Sequence, residues 1–175
     1  MIQERQFQQK SMKGIYVLII AVNEGVSVDV GALGTVNFER GLYAYVGSAQ
    51  NALEKRVERH LEKVKRKFWH IDYLLDNVEA KVLKIFWKEA GKLEECQIST
   101  KIRERGIPIS GFGSSDCKCG SHLFRIEDSG FLREFMRQIS VKSIRKAVYS
   151  AHATKRIEMC ENENHSITAT IKRKR

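Results

Sequence analysis

From Ile15 to Val22 the chain is almost continuously apolar and β-prone, reading Ile-Tyr-Val-Leu-Ile-Ile-Ala-Val with no regular polar alternation. A run of this kind reads as a buried central strand, which must lie within a sheet that has other elements packed against it. The following residues supply partners. Val26, Val28 and Val30 alternate with polar residues, Ala32-Leu33-Gly34 interrupts, and Thr35 to Phe38 resumes, which is a hairpin signal. Gly41 ends the hairpin and Leu42 to Val46 forms the next strand. Gly47 to Asn51 is then a turn into a helix, with Asn51 placed to cap it and Glu54 to reach back. Leu53, Val57, Leu61 and Val64 share one face of that helix, and Arg56 and His60 lie along its edge.

Phe68 to Leu75 reads as a second, aromatic-rich helix with Trp69 as packing, and Val78 to Trp87 as a strand. Leu93 to Arg105 reads as a third helix, closed by Gly106 and followed by Pro108. Gly111 to Asp116 is a loop, and Ser121 to Ile126 a short strand. Phe131, Leu132, Phe135, Met136 and Ile139 match an amphipathic helix, and Val141 to Ala151 a further one. The expected fold is a single α/β domain of the α+β type, a small mixed and mostly antiparallel sheet flanked by helices. Residues 1–12 form a polar extension, with Met12 an alternative start. Residues 13–126 form the domain, 127–152 a helical extension, and 153–175 a disordered basic tail.

Lys and Arg number 31 against 21 Asp and Glu, a net charge of +10. That excess suits a polyanionic partner, because each cationic contact that releases a counterion adds affinity at low salt. No secretory pattern or membrane-length apolar run is visible, so a soluble cytoplasmic protein without a membrane partner is expected. The four cysteines, Cys96, Cys117, Cys119 and Cys160, are too unevenly spaced for a secreted disulfide framework.

Two tripeptides, Gly14-Ile15-Tyr16 and Tyr45-Val46-Gly47, sit at strand-like runs, and a helix bearing Arg56 and His60 follows the second. In these the chain resembles the GIY-YIG nuclease superfamily. Within it the chain is most similar to an uncharacterised, mainly archaeal branch, a domain of unknown function sometimes fused to endonuclease III. The phrases His70-Ile71-Asp72-Tyr73-Leu74-Leu75, Glu95-Cys96 and Gly111-Phe112-Gly113-Ser114-Ser115-Asp116-Cys117 carry that likeness, which spans residues 13–126. The Val26–Phe38 hairpin departs from the short connection usual between the two tyrosine motifs.

The resemblance implies a metal-dependent endonuclease or phosphodiesterase, acting on DNA in a structure-directed way. Tyr16 would be the general base or would orient the water, and Tyr45 would position the water or phosphate. Arg56 would stabilise phosphoryl charge, and His60 would bond to Tyr16 or the phosphate. Glu95 would hold Mg²⁺ or Mn²⁺, with Glu94 as fallback and Asp116 as a possible helper. Gly47, Ser48, Lys55, Arg59, His70, Ser114 and Ser115 are expected to meet the nucleic acid. The fusion points to a DNA-repair protein as a possible partner. Separately, Cys96, Cys117, Cys119 and His122 offer three thiols and an imidazole for Zn²⁺, beside the reading in which Cys96 and one of the Cys117 and Cys119 pair are buried core thiols and His122 bonds to backbone. Two other readings stand beside the nuclease: a non-catalytic nucleic-acid-binding module, and a zinc-stabilised adaptor. Oligomeric state is not legible.

Overall fold

The computed structural model describes residues 12–146 and 148–149; both chain ends lie outside it, so the polar extension before Met12, the basic tail and Cys160 are not placed. The apolar run forms β1 (Gly14–Val22), and the hairpin follows as β2 (Val26–Asp29) and β3 (Thr35–Phe38) around a 3-10 turn, Gly31–Leu33. Then come β4 (Gly41–Ala49), α1 (Leu53–Leu61), α2 (His70–Asp76), β5 (Ala80–Lys88) and α3 (Glu94–Arg103). Three short strands, β6 (Gly106–Pro108), β7 (Leu123–Ile126) and β8 (Arg137–Ile139), complete the described set. Six strands form one sheet in the order β6-β7-β4-β1-β5-β8, and β2 and β3 pair as a separate ribbon. All pairings are antiparallel, so the mixed sheet expected from sequence is antiparallel throughout.

β1 is central and its two faces feed two cores. Tyr16, Leu18, Ile20 and Val22 pack with Leu53 and Val57 of α1 and Ile71 and Leu74 of α2. Ile15, Val17 and Ile19 pack on the other side with Ile98 and Ile102 of α3 and with Phe131, Leu132 and Met136. Successive strand side chains point to opposite faces, so a strand covered on both sides must be apolar at every position. Gly14 opens β1 at φ +151°, and a Cβ there would stand 2.0 Å from the Lys88 carbonyl oxygen of β5. Only glycine allows the two strands to start in register at that point.

Four local expectations are corrected. α1 ends at Leu61 because Glu62 is extended, which leaves Val64 off the helical face and 96% exposed. Asn51 does not cap α1. Ala52 holds the cap position in the left-handed region (φ +49°), and Glu54 instead accepts the Met12 backbone N–H at 2.8 Å. Gly106 and Pro108 do more than end α3, since they form the edge strand β6. The amphipathic helix expected across Phe131–Ile139 is a 3-10 turn, Gly130–Glu134, followed by β8. β8 pairs Ile85↔Ile139, Phe86↔Gln138 and Trp87↔Arg137, so the open hydrogen-bonding edge of β5 captures residues whose apolar spacing also fits a helix. Helical conformation resumes over 141–146, with Ile144 buried.

Candidate active site and metal-binding cluster

Strand register brings the two tyrosines together. In the β1–β4 ladder Tyr16 faces Gly47 and Leu18 faces Tyr45, so both tyrosines lie diagonally on the face that carries α1. Their ring centroids are 6.5 Å apart. The Tyr16 ring passes over Gly47, where a Cβ would come within 2.4 Å of the Tyr16 hydroxyl. The glycine therefore makes room for the tyrosine opposite it. Gly47→Ala is expected to push Tyr16 off this seat and cost about 1–3 kcal/mol by overpacking. Urea unfolding would show it; an unchanged midpoint would mean the ring has room to move aside.

Arg56 and His60 stand one turn apart on α1, with His60 buried. His60 Nε2 is 2.8 Å from the Tyr16 hydroxyl, and its Nδ1 faces Asp72 Oδ1 at 3.5 Å, long for a hydrogen bond. Asp72 is fully buried on α2 and is held by Arg59, whose Nη1 and Nη2 each donate at 3.0 Å. The Phe68 and Trp69 backbone N–H groups donate to its Oδ2 at 3.0 Å, so the carboxylate also caps α2. An acid, an imidazole and a phenol thus lie in line, Asp72–His60–Tyr16. Burial lowers the His60 pKa, with Asp72 pulling the other way, so the imidazole is biased toward its neutral form. Burial raises the Tyr16 pKa well above the ordinary tyrosine value despite Arg56, and raises that of Tyr45 likewise. Both phenols are protonated at neutral pH.

These groups open on a cleft of about 660 Å³ lined by Tyr16, Tyr45, Arg56, Trp69, His70 and Glu95, among others. Gly47, Ser48, Ser115 and Asp116 also reach it. The Arg56 guanidinium lies 4.2 Å from the Trp69 ring centroid, and the Arg59 guanidinium 4.3 Å. His70 Nδ1 accepts the Gly113 N–H at 3.0 Å, which leaves Nε2 to carry the proton of the neutral ring. Other expected contacts fall elsewhere. Arg59 is spent on Asp72 and on the Arg66 carbonyl, Lys55 is exposed away from the cleft lining, and Ser114 is buried beneath the loop. Glu94 pairs with Lys88. Gln50, Asn51 and Lys92 line the cleft with no sequence signal to announce them, and Lys92 pairs with Asp116 at 3.0 Å.

Glu95 has a partner that the sequence did not reveal. Its Oε1 lies 3.2 Å from Nδ1 of the buried His122, whose Nε2 lies 3.4 Å from Cys117 Sγ. The ligand atoms of Cys96, Cys117, Cys119 and His122 all fall within 4.8 Å of one another, and Cys96, Cys117 and Cys119 are free thiols. This Cys3His cluster can hold a metal ion. Burial pushes the Cys119 thiol up to about 12, with the neighbouring Cys96 and Cys117 thiols adding to the effect. A bound cation would reverse that preference, because thiolates are the ligands. The cluster brings Cys96 of α3 against the loop before β7, and the His122 carbonyl accepts the Val46 N–H at 2.9 Å, beside Tyr45.

Sheet, helices and paired sites define a mixed α/β domain with a polar cleft and a thiol-rich cluster sharing one wall. The chain belongs to the family described as Domain of unknown function DUF123, whose model matches residues 15–145. No curated protein and no solved structure matches the chain. Among the described residues, no helix is long and apolar enough to cross a membrane.

Proposed function

We propose that the cleft hydrolyses nucleic-acid phosphodiesters, DNA foremost, as the resemblance to GIY-YIG nucleases implies. The observation that carries this reading is the Tyr16 hydroxyl, 2.8 Å from His60 Nε2 and in the same cleft as the Arg56 guanidinium. Asp72 favours the proton on His60 Nδ1, leaving the Nε2 lone pair for the Tyr16 proton. Because Tyr16 is itself a reluctant acid, the basic capacity of the pair rests on His60. In the proposed step, a water oriented by Tyr16 attacks phosphorus, and its proton passes through the phenol to His60. The bond from phosphorus to the leaving sugar oxygen breaks, and that oxygen takes a proton from solvent to leave as a hydroxyl. Arg56 binds the non-bridging oxygens and offsets their added charge. Glu95, with Asp116 on the same cleft once it leaves Lys92, would be the residue to hold a hard cation that takes few protein ligands. Mg²⁺ or Mn²⁺ held there would neutralise charge at the leaving oxygen.

The Cys3His cluster is proposed to bind Zn²⁺ in a structural role. Three thiolates and an imidazole are a complete tetrahedral set that leaves no position open for substrate. The Glu95 contact at His122 Nδ1 supports that assignment, since it directs Nε2 toward the sulfurs.

A cleavage assay on labelled single-stranded, duplex, flap and junction DNA, with added Mg²⁺ or Mn²⁺ or with neither, tests the nuclease reading. Tyr16→Phe is expected to lower the rate about 10²–10⁴-fold, and omission of the divalent metal to abolish it. Binding without cleavage by wild-type protein would favour the non-catalytic module.

A further inference from the structure

The connection between α1 and α2, residues 62–69, has neither helix nor strand and reads Glu-Lys-Val-Lys-Arg-Lys-Phe-Trp. Such a segment is usually mobile, yet this one is fastened at both ends. Arg59 Nη2 donates to the Arg66 carbonyl at 2.8 Å, and Lys65 Nζ donates to the carbonyls of His60 and Glu62 at 3.1 and 2.6 Å. At the far end Asp72 takes the Phe68 and Trp69 N–H groups. On this fixed backbone Phe68 is 75% exposed, although a large aromatic ring gains from burial. Trp69 braces it edge-on, with centroids 5.1 Å apart, and Phe68 lines the same cleft as Arg56. Lys63, Arg66 and Lys67 are exposed on the same loop, and of these Lys67 is paired, with Asp76 at 2.7 Å.

An exposed aromatic ring on a hydrogen-bonded loop, amid cations and on the same cleft as the arginine proposed to bind phosphate, matches the chemistry of an unpaired nucleotide. The base offers a flat apolar face for stacking, and its flanking phosphates offer charge. We propose that residues 62–69 form a subsite for an unpaired nucleotide, in which Phe68 stacks one base while Lys63 and Arg66 hold neighbouring phosphates. The subsite rests on the nucleic-acid reading of the cleft and narrows it, placing the scissile phosphodiester beside a single-stranded or extruded base. A base held within a duplex stack keeps its faces covered and cannot use the ring.

The test is fluorescence anisotropy with no divalent metal added, using a labelled oligothymidylate of about 12 nucleotides and a duplex of the same length. Phe68→Leu keeps apolar bulk and removes the aromatic face, and the exposed position makes misfolding no concern. It is expected to weaken single-strand binding about 5- to 100-fold and leave duplex binding unchanged, with Phe68→Trp restoring affinity. Equal loss on both probes, or no loss on the single strand, would overturn the subsite. Cleavage by a protein whose single-strand affinity ignores Phe68→Leu would retain the nuclease and reject the subsite. Phe68-dependent binding without cleavage would do the reverse. Failure of the wild type to bind the single strand would reject the subsite, while the metal-dependent cleavage assay alone would decide the nuclease.

Discussion

Replacing Asp72 with alanine is expected to lower the free energy of unfolding by about 3–5 kcal/mol, as is usual when one partner of a buried charged pair is removed. The carboxylate is fully buried and answers Arg59, two backbone N–H groups at the start of α2, and the inner edge of His60. Its loss strands all of these donors at once, including a guanidinium already packed against Trp69. Desolvation by itself raises the acid's pKa, but the facing His60 imidazole and the hydrogen bonds from Arg59, Phe68 and Trp69 outweigh it and hold the group well below the usual carboxylate range. The sign follows from that depression. The stabilisation is complete above the unfolded value of 3.8 and is lost as pH falls toward the folded one. Urea unfolding of wild type and Asp72→Asn across acidic pH should show a steeper decline for wild type below 3.8. Parallel curves would mean the carboxylate is not the group that titrates.

The second large effect concerns the Cys3His cluster. Protein purified without chelators is expected to carry about one zinc per chain, with an apparent binding energy on the scale of structural zinc sites, about 10–16 kcal/mol. Stripping that metal should release the strap between α3 and β7. The melting temperature should fall, and amide exchange should rise across residues 111–122 and at Val46, whose N–H rests on His122. Cys119→Ala should reproduce both changes, with atomic absorption reporting the lost zinc. Metal-free protein with the same melting temperature as the starting material would show that the thiols pack without an ion. The experiment also separates two roles of Glu95, since Glu95→Gln should retain most of the zinc while removing the charge that faces the cleft.

Much of this arrangement is legible in the residues, for reasons that differ from place to place. The central strand is plain because burial on both faces forbids polar alternation, and the inserted hairpin is plain because Val26, Val28 and Val30 alternate before a glycine-bearing turn and Val36 and Phe38 alternate after it. Tyr16, Tyr45, Arg56 and His60 converge as the motif order implies, because a two-residue diagonal on paired strands and a one-turn step on a helix are fixed distances. What sequence conceals are partners chosen by tertiary packing. Asp72 stands three residues after Trp69, a capping spacing, but nothing local says that it would also seize Arg59 and orient His60. Glu95 presents a free carboxylate in the sequence, and only the fold sets it against His122. The Phe131–Ile139 segment misleads because a 3-10 turn with a short strand buries Phe131, Leu132 and Met136, which a helix would also gather on one face, and the open edge of β5 decides between them.

The sheet's outer margins carry a consequence for association between chains. Each edge strand has three residues, Gly106–Pro108 at one side and Arg137–Ile139 at the other, and one of them contains a proline with no N–H to offer. An edge so short, or so poor in donors, is a weak template for a neighbouring strand. Among the described residues, those two terminal strands are therefore poor templates for zipping crowded copies into one continuous sheet, and contacts made there fall to side-chain surfaces rather than to shared backbone ladders.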